Sequence, residues 1–271
     1  MRTTISVTVE TVSGATTGLE RLLALFSAYE LRVTFFISLG PGRDSGFFRR
    51  LTASNHLLAH ADIFRAIQKA GHDLGMAPWD TSAWASRAAH ADREWTRGQW
   101  KRALESWQDL FNVNPASHAA TDFQVNPWLF AFEQQADLAF ASDVLGKSPF
   151  FPVMQSIESR CVQLPVTLVP LSVLRATGKY QESTLHEELF ASSQKILPAG
   201  QHWRISSDES PALVEKMIVM WKGSSREFLT LPAVAEAAAE SDIRQHTVGW
   251  ARQEDAGWAA TQSLACADLR G

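Results

Sequence analysis

The sequence predicts an α/β barrel, on three observations. Ile5-Ser6-Val7-Thr8-Val9 alternates strictly and is rich in branched side chains, the pattern of a β-strand. Residues 31–39 are almost continuously apolar, as a parallel strand buried on both faces must be. Between them Leu19, Leu22, Leu23, Phe26 and Tyr29 recur at helical spacing, so the opening reads as a βαβ unit, and strand and helix signals go on alternating to the C-terminus.

The elements follow in order. Thr16 or Thr17 is expected to cap the first helix. Residues 40–54 have the Gly, Pro and Arg content of a surface loop, and 61–70 carry a helical pattern that Gly71 ends. A short strand at 73–76 leads through a loop into a long helix at 92–111, stopped before Asn114-Pro115. Further helices are expected near 127–135, 184–193, 211–222 and 232–240, and strands near 138–141, 162–164, 202–205 and 247–250. Sites in such barrels lie at the C-terminal ends of the strands, so Glu10, Trp79 and Phe123 should face the mouth.

With 271 residues, 45% hydrophobic and 20% charged, the chain suffices for one large core, and no composition break divides it. A single domain, 1–271, is expected, with a loop or cap insertion at about 40–70 and a variable C-terminal part at about 225–271. The net charge of −4 and the absence of a Lys/Arg run exclude an electrostatic footprint for nucleic acid. Cys161 and Cys266 stand far apart and read as reduced thiols. Neither a signal-peptide core nor an apolar run near the ~20 residues of a membrane span is present. A cytoplasmic protein with no transmembrane segment is expected, with contact at the inner membrane surface left open.

Several motifs carry a resemblance. Val7-Thr8-Val9-Glu10-Thr11, the strand ending Ser38-Leu39-Gly40-Pro41, and Gly75-Met76-Ala77-Pro78-Trp79-Asp80-Thr81-Ser82-Ala83-Trp84 resemble the first and second motifs of the NodB-type polysaccharide deacetylases, and in particular the deformylases that act on a formamido-arabinose carried by a polyprenyl phosphate. Ala141-Ser142-Asp143, Leu164-Pro165-Val166-Thr167-Leu168 and Gly257-Trp258 continue the match across nearly the whole chain. The resemblance implies a distorted seven-stranded (β/α) barrel. It also implies a site at which an Asp base activates water on a divalent metal held by Asp and two His, with an Arg orienting the base and a His as general acid.

In this sequence those positions have changed. The base position is Thr8 and the metal Asp is Glu10; the two His positions are Ala77 and Thr81. The Arg and Asp of the third motif become Gln124 and Asn126 in Phe123-Gln124-Val125-Asn126, and the late His aligns with Ser206 in Ile205-Ser206-Ser207-Asp208. The acidic stretch after the Pro-Val-Thr-Leu strand is Pro170-Leu171-Ser172-Val173. One carboxylate cannot lower the pKa of bound water and polarise a carbonyl as a metal does. No metal, no cofactor and no catalytic residue are therefore expected; Glu10, Trp79, Asp80, Trp84, Phe123 and Gln124 are expected to line a binding pocket.

Other constellations carry less. Ten tryptophans suit sugar stacking, but Trp95, Trp100 and Trp107 share one helix and read as packing. His56 and His60 have helical spacing without the Glu of a zinc protease, and His72, His90, His118, His186, His202 and His246 are scattered. Glu10 and Asp80 could form an acid/base pair only if their environments split their pKa values. No Gly-x-Ser-x-Gly elbow and no phosphate loop occur.

Two readings remain. One is a pseudoenzyme that binds a sugar, a lipid-linked sugar or a partner enzyme such as an active paralogue. The other is a hydrolase of a sugar C–N bond with a metal-free or relocated mechanism. A third, a scaffold whose pocket is plugged by Met76, Pro78 and Phe123, would show as a collapsed mouth. The apolar pairs Phe47-Phe48 and Phe150-Phe151 are candidate contacts for a polyprenyl chain.

Overall fold

In the computed structural model of the chain, residues 1–44, 57–253 and 257–266 are described. Strand β1 (Arg2–Val9) is central, with β2 (Thr34–Ile37), β3 (Asp73–Met76), β4 (Ser117–His118) and β5 (Phe140–Ala141) on one side and β8 (Gln201–Ser206) on the other, all parallel. Strand β9 (Glu227–Leu229) pairs with the start of β1 at Arg2–Thr4, completing a seven-stranded sheet. The curled sheet closes through residues 162–168. Ala141 donates to Val162 and Leu164 to Ala141, while Thr167 donates across to His202 in β8. Pro165 has no N–H to give a ladder, which is why the expected strand at 162–164 holds by isolated bridges.

The pleat sorts β1. Ile5, Val7 and Val9 pack outward against Leu19, Leu22 and Phe26 of α1 (Leu19–Ala28), and Thr4, Ser6 and Thr8 lie on the opposite face. A second core of Phe36, Ala77, Ala119, Phe140, Val162 and Leu164 is separate from that outer layer. Beside it Ser6 Oγ lies 2.8 Å from His202 Nε2.

The helices α2 (Ala61–Lys69), α4 (Arg93–Phe111), α5 (Pro127–Gln135), α7 (Leu185–Ser193), α8 (Pro211–Gly223) and α9 (Leu231–Ala239) fall where the periodicity places them. Gly71 ends α2 at φ 82° and Asp92 caps α4 by accepting from Trp95. Three local expectations differ. The first helix is not capped by Thr16 or Thr17; a π-turn, Gly14–Gly18, feeds directly into α1, and the Thr16 hydroxyl bonds back to Val12. The stretch after β3, expected as loop, contains α3 (Thr81–Arg87), because Asp80 accepts from the Ala83 amide and starts a helix. A further helix, α6 (Leu171–Ala176), follows Pro170.

A second sheet, unforeseen except for its central strand, joins β6 (Phe151–Met154), β7 (Ile157–Glu158), β10 (Gln245–Arg252) and β11 (Trp258–Ala265) in the order β11-β10-β6-β7. Leu145 ties this sheet to the barrel rim, donating to Ala260 and accepting from Gln262. That anchor brings Trp250 and Trp258 to the side of the mouth. No helix among the described residues is long and apolar enough to cross a membrane. Phe47, Phe48 and His56 lie outside the described residues.

Candidate functional site

The C-terminal strand ends surround a cavity of about 250 Å³ lined by, among others, Thr8, Glu10, Arg43, Arg175, Arg204 and Glu209. Through Arg43, Asp122, Phe123, Pro170 and Ser172 it adjoins a groove of about 810 Å³, whose far wall includes Trp250 and Trp258. Trp258 is 59% exposed. The mouth is thus open and charged rather than plugged. Met76 and Pro78 are buried, and Phe123, though largely buried, forms part of the wall.

Glu10 leaves β1 at the centre of this mouth, with its side chain 12% exposed. One carboxylate oxygen accepts from Thr121 Oγ1 at 2.8 Å and the other from Arg43 Nη1 at 3.0 Å. Arg43 also grips Asp122, at 3.2 Å through Nη1 and 2.6 Å through Nη2. Burial raises the Glu10 pKa and the Asp122 charge adds to it; Arg43 and Thr121 offset part of the shift. Burial opposes the charge on Arg43, but Asp122 and Glu10 outweigh it and raise its pKa. Asp122 and Phe123 both hold positive φ, 50° and 56°, a strained turn for two non-glycine residues, and the Arg43 pair bears directly on it.

The residues at the implied metal positions do not fit a divalent ion. Ala77 offers no donor and is packed with Phe36 and Ala119. Thr81 is fully buried and its Oγ1 has no partner among the described residues. The one carboxylate, Glu10, is already engaged by a guanidinium, and neutral hydroxyls do not replace imidazole ligands. Among the described residues Thr8 Oγ1 reaches only the Ile205 carbonyl, at 3.4 Å, and Ser206 is an exposed hydroxyl on the cavity wall.

Other expected pocket residues are placed elsewhere. Trp84 is 1% exposed and donates Nε1–H to the Gln124 carbonyl at 2.7 Å, with its ring 5.7 Å from Trp95. Asp80 caps α3, and its own amide donates to Gln99. Trp79 is partly buried against the outer core, and its carbonyl accepts from Ser38. A Cβ on Gly40 would come within 2.0 Å of that carbonyl, so only glycine lets the two loops meet. None of Trp79, Asp80 and Trp84 lines the mouth or the groove. The helix that Asp80 starts turns this motif onto α4. Asn126 caps α5, accepting from Trp128 and Leu129 while donating to Ala88 and Thr96. Gln124 does line the groove and donates to the Trp258 carbonyl at 2.6 Å.

Arg43, Asp122, Arg175, Arg204, Glu209 and Trp258 went unread in the sequence as site residues. A readable signal existed for one: Arg204 is a lone charge within the apolar strand Trp203-Arg204-Ile205. It is 9% exposed, donates to the Ser142 carbonyl and hydroxyl, and lies 5.4 Å from the Phe36 ring and 5.2 Å from that of Phe123. Burial pulls its pKa down to about 10.

Behind Arg204 lies a sealed cluster. His118 Nδ1 is 3.0 Å from Glu133 and 2.9 Å from Asp143; Gln163 donates to both carboxylates, and Ala120 donates to Asp143. Burial drives the Glu133 carboxyl well above its usual value, with the Asp143 charge next in weight. Asp143, although buried, is held low by His118 and its other donors. His118, Glu133 and Asp143 are metal-ligand types within reach of one another, but Gln163 and Ala120 already complete the hydrogen bonding.

This architecture, a curled parallel sheet with an open cleft at the C-terminal strand ends, is that of the NodB-type (β/α) barrels. The chain has the polysaccharide deacetylase fold and resembles the ArnD deformylases in sequence over most of its length. It is 19% identical over 261 residues, 84% of this chain and 83% of the other, to a protein of Shewanella sediminis assigned as the 4-deoxy-4-formamido-L-arabinose-phosphoundecaprenol deformylase ArnD. A structure of a protein assigned as a polysaccharide deacetylase from Mycobacterium smegmatis superposes with TM-score 0.65 at 14% identity, covering 99% of this chain and 94% of that one. The wild-type BA3943 of Bacillus anthracis, a CE4 family pseudoenzyme, superposes with TM-score 0.56 at 11% identity, over 91% of this chain and 69% of that one. No family model matches the sequence.

Proposed function

We propose that the protein is a catalytically degenerate relative of the deacetylases and deformylases, one that binds a carbohydrate or lipid-linked sugar in the mouth and groove without cleaving it. The carrying observation is the state of Glu10. The only carboxylate left at the implied metal position is locked between Arg43 and Thr121, while Thr8, Ala77 and Thr81 supply neither base nor imidazole. The open cleft argues against a plugged scaffold, and the exposed indole of Trp258 is a stacking surface for a sugar ring. The apolar groove wall of Ala85, Leu145, Val173 and Ala259 suits the start of a lipid chain. The likeness to a pseudoenzyme of the same fold supports the reading, and an active paralogue is the partner to seek first.

The competing reading, a hydrolase acting without the implied metal, draws on the raised pKa of Glu10, a carboxyl that could hold a proton beside a cavity. Two assays on one preparation separate them. Binding of glycans to the immobilised protein, with no release of formate or acetate from formylated and acetylated amino sugars, is the expected result. Turnover abolished by Glu10→Gln would overturn the proposal.

A further inference from the structure

Among the described residues three arginines line the mouth, and their partners differ. Arg43 is held by Glu10 and Asp122, and Arg175 by Glu209, at 2.7 and 2.9 Å, and by Glu182. Arg204 touches no carboxylate among the described residues. Its acceptors are the Ser142 carbonyl and hydroxyl and, at a long 3.4 Å, the Ala120 carbonyl, while its Nε, fully buried, has no partner among the described residues. A buried guanidinium ordinarily meets a carboxylate or phosphate, because a desolvated charge without one is costly. The aromatic faces of Phe36 and Phe123 stabilise the cation without neutralising it. Asp143 and Glu10 act on it through space rather than by contact.

We propose that Arg204 is the anion-recognising residue of the mouth, and that the ligand is an acidic sugar whose carboxylate or phosphate takes the uncommitted side of this guanidinium. This deepens the carbohydrate-binding reading and rests on it for the sugar, though not for the anion. The mouth cavity of about 250 Å³ holds the charged end, and the rest of the ligand runs past Phe123 toward Trp258. A planar guanidinium suits an oxyanion better than an ammonium would, because it offers paired N–H donors.

The test is calorimetric titration of the full chain, at fixed ionic strength, with glucose, glucuronate, glucose 1-phosphate and inorganic phosphate. At least a tenfold preference for an acidic sugar over glucose is expected, lost in Arg204→Gln. Glucuronate against glucose 1-phosphate identifies which oxyanion the site takes. Because Arg204 is buried and its replacement could unfold the chain, Ser172→Asp serves as a second variant. Ser172 is exposed, lines both cavities and opens α6, where a carboxylate suits the helix N-terminus while opposing an anion in the mouth. It should remain folded and lose the preference. Phosphate binding that depends on Arg204, without any preference among sugars, would leave the anion site standing and remove the carbohydrate reading. Equal affinity for glucose and glucuronate would remove the anion site and leave the carbohydrate reading. No binding of any anion, or a preference that survives both variants, would overturn the inference.

Discussion

Two clusters of carboxylates lie close together in this molecule and are managed in opposite ways. At the mouth, Glu10 and Asp122 are met by the guanidinium of Arg43, Asp122 is half exposed, and a cavity adjoins them. One layer behind, Glu133 and Asp143 are fully buried and are held by a histidine, an amide side chain and a backbone N–H, with burial raising the Glu133 pKa. The first cluster is neutralised by a side chain on a loop, the second by hydrogen bonds from β4, the residues just after it and the barrel-closing segment. Charge beside a cavity remains exchangeable for a ligand, whereas charge sealed in the wall fixes the barrel's closure. Arg204 stands between the two, donating to Ser142 from one side and lining the mouth on the other.

Substitutions should separate the clusters by size of effect. Asp143→Ala strands the Ala120 amide in the barrel wall and leaves His118 and Gln163 with Glu133 as their remaining partner, and is expected to cost about 3–5 kcal/mol in urea unfolding. Arg43→Ala should cost less, about 1–2 kcal/mol, since Thr121 still serves Glu10 and Asp122 can reach water. If the two losses proved equal, the distinction between sealed and exchangeable charge would fail.

pH offers a second way to sharpen it. The folded chain keeps on Glu133 a proton that the unfolded chain releases near the ordinary value of 4.5. The stability this group contributes is complete below that value and is lost as pH rises through its raised folded value. Asp143 has the opposite sign: its pKa is lowered, so its contribution is present above the ordinary 3.8 and is lost as pH falls. Melting temperature should therefore decline toward alkaline pH, and Glu133→Gln, which has no proton to lose, should flatten that decline. An unchanged slope in the variant would place the proton elsewhere.

The smallest effect on stability is expected at the groove. Trp258 is more than half exposed, so Trp258→Ala should change the unfolding free energy by about 0.5 kcal/mol or less while removing glycan binding. By contrast Trp84→Phe leaves the Gln124 carbonyl without its donor inside the fold and should cost about 1–2 kcal/mol with little change in ligand affinity.

The same contrast explains what the sequence made legible. Apolar periodicity placed β1, α1, β2, α2, β3 and most later helices, because burial in the outer layer imposes it. It failed for β4, two residues long, where pairing is too brief to show a period; the expected strand at 138–141 shortens to β5, and the one at 162–164 pairs only through isolated bridges. The changes at Thr8, Ala77 and Thr81 could be read only through the resemblance of their motifs to those of the deacetylases. Arg43 and Asp122 could not, because they are distant in sequence and meet only when the loops after β2 and β4 fold over Glu10. Trp84 misled for a related reason: a residue beside the implied metal positions need not face the pocket once Asp80 has started a helix there.

The most direct test of the central claim is metal content of the purified protein, followed by calorimetric titration with zinc, cobalt and manganese, on the wild type and on Glu10→Gln. No stoichiometric ion and no binding heat are expected in either protein. One tightly held ion in the wild type that is lost with Glu10→Gln would contradict it, since Arg43 would then have to yield its place on that carboxylate to a metal.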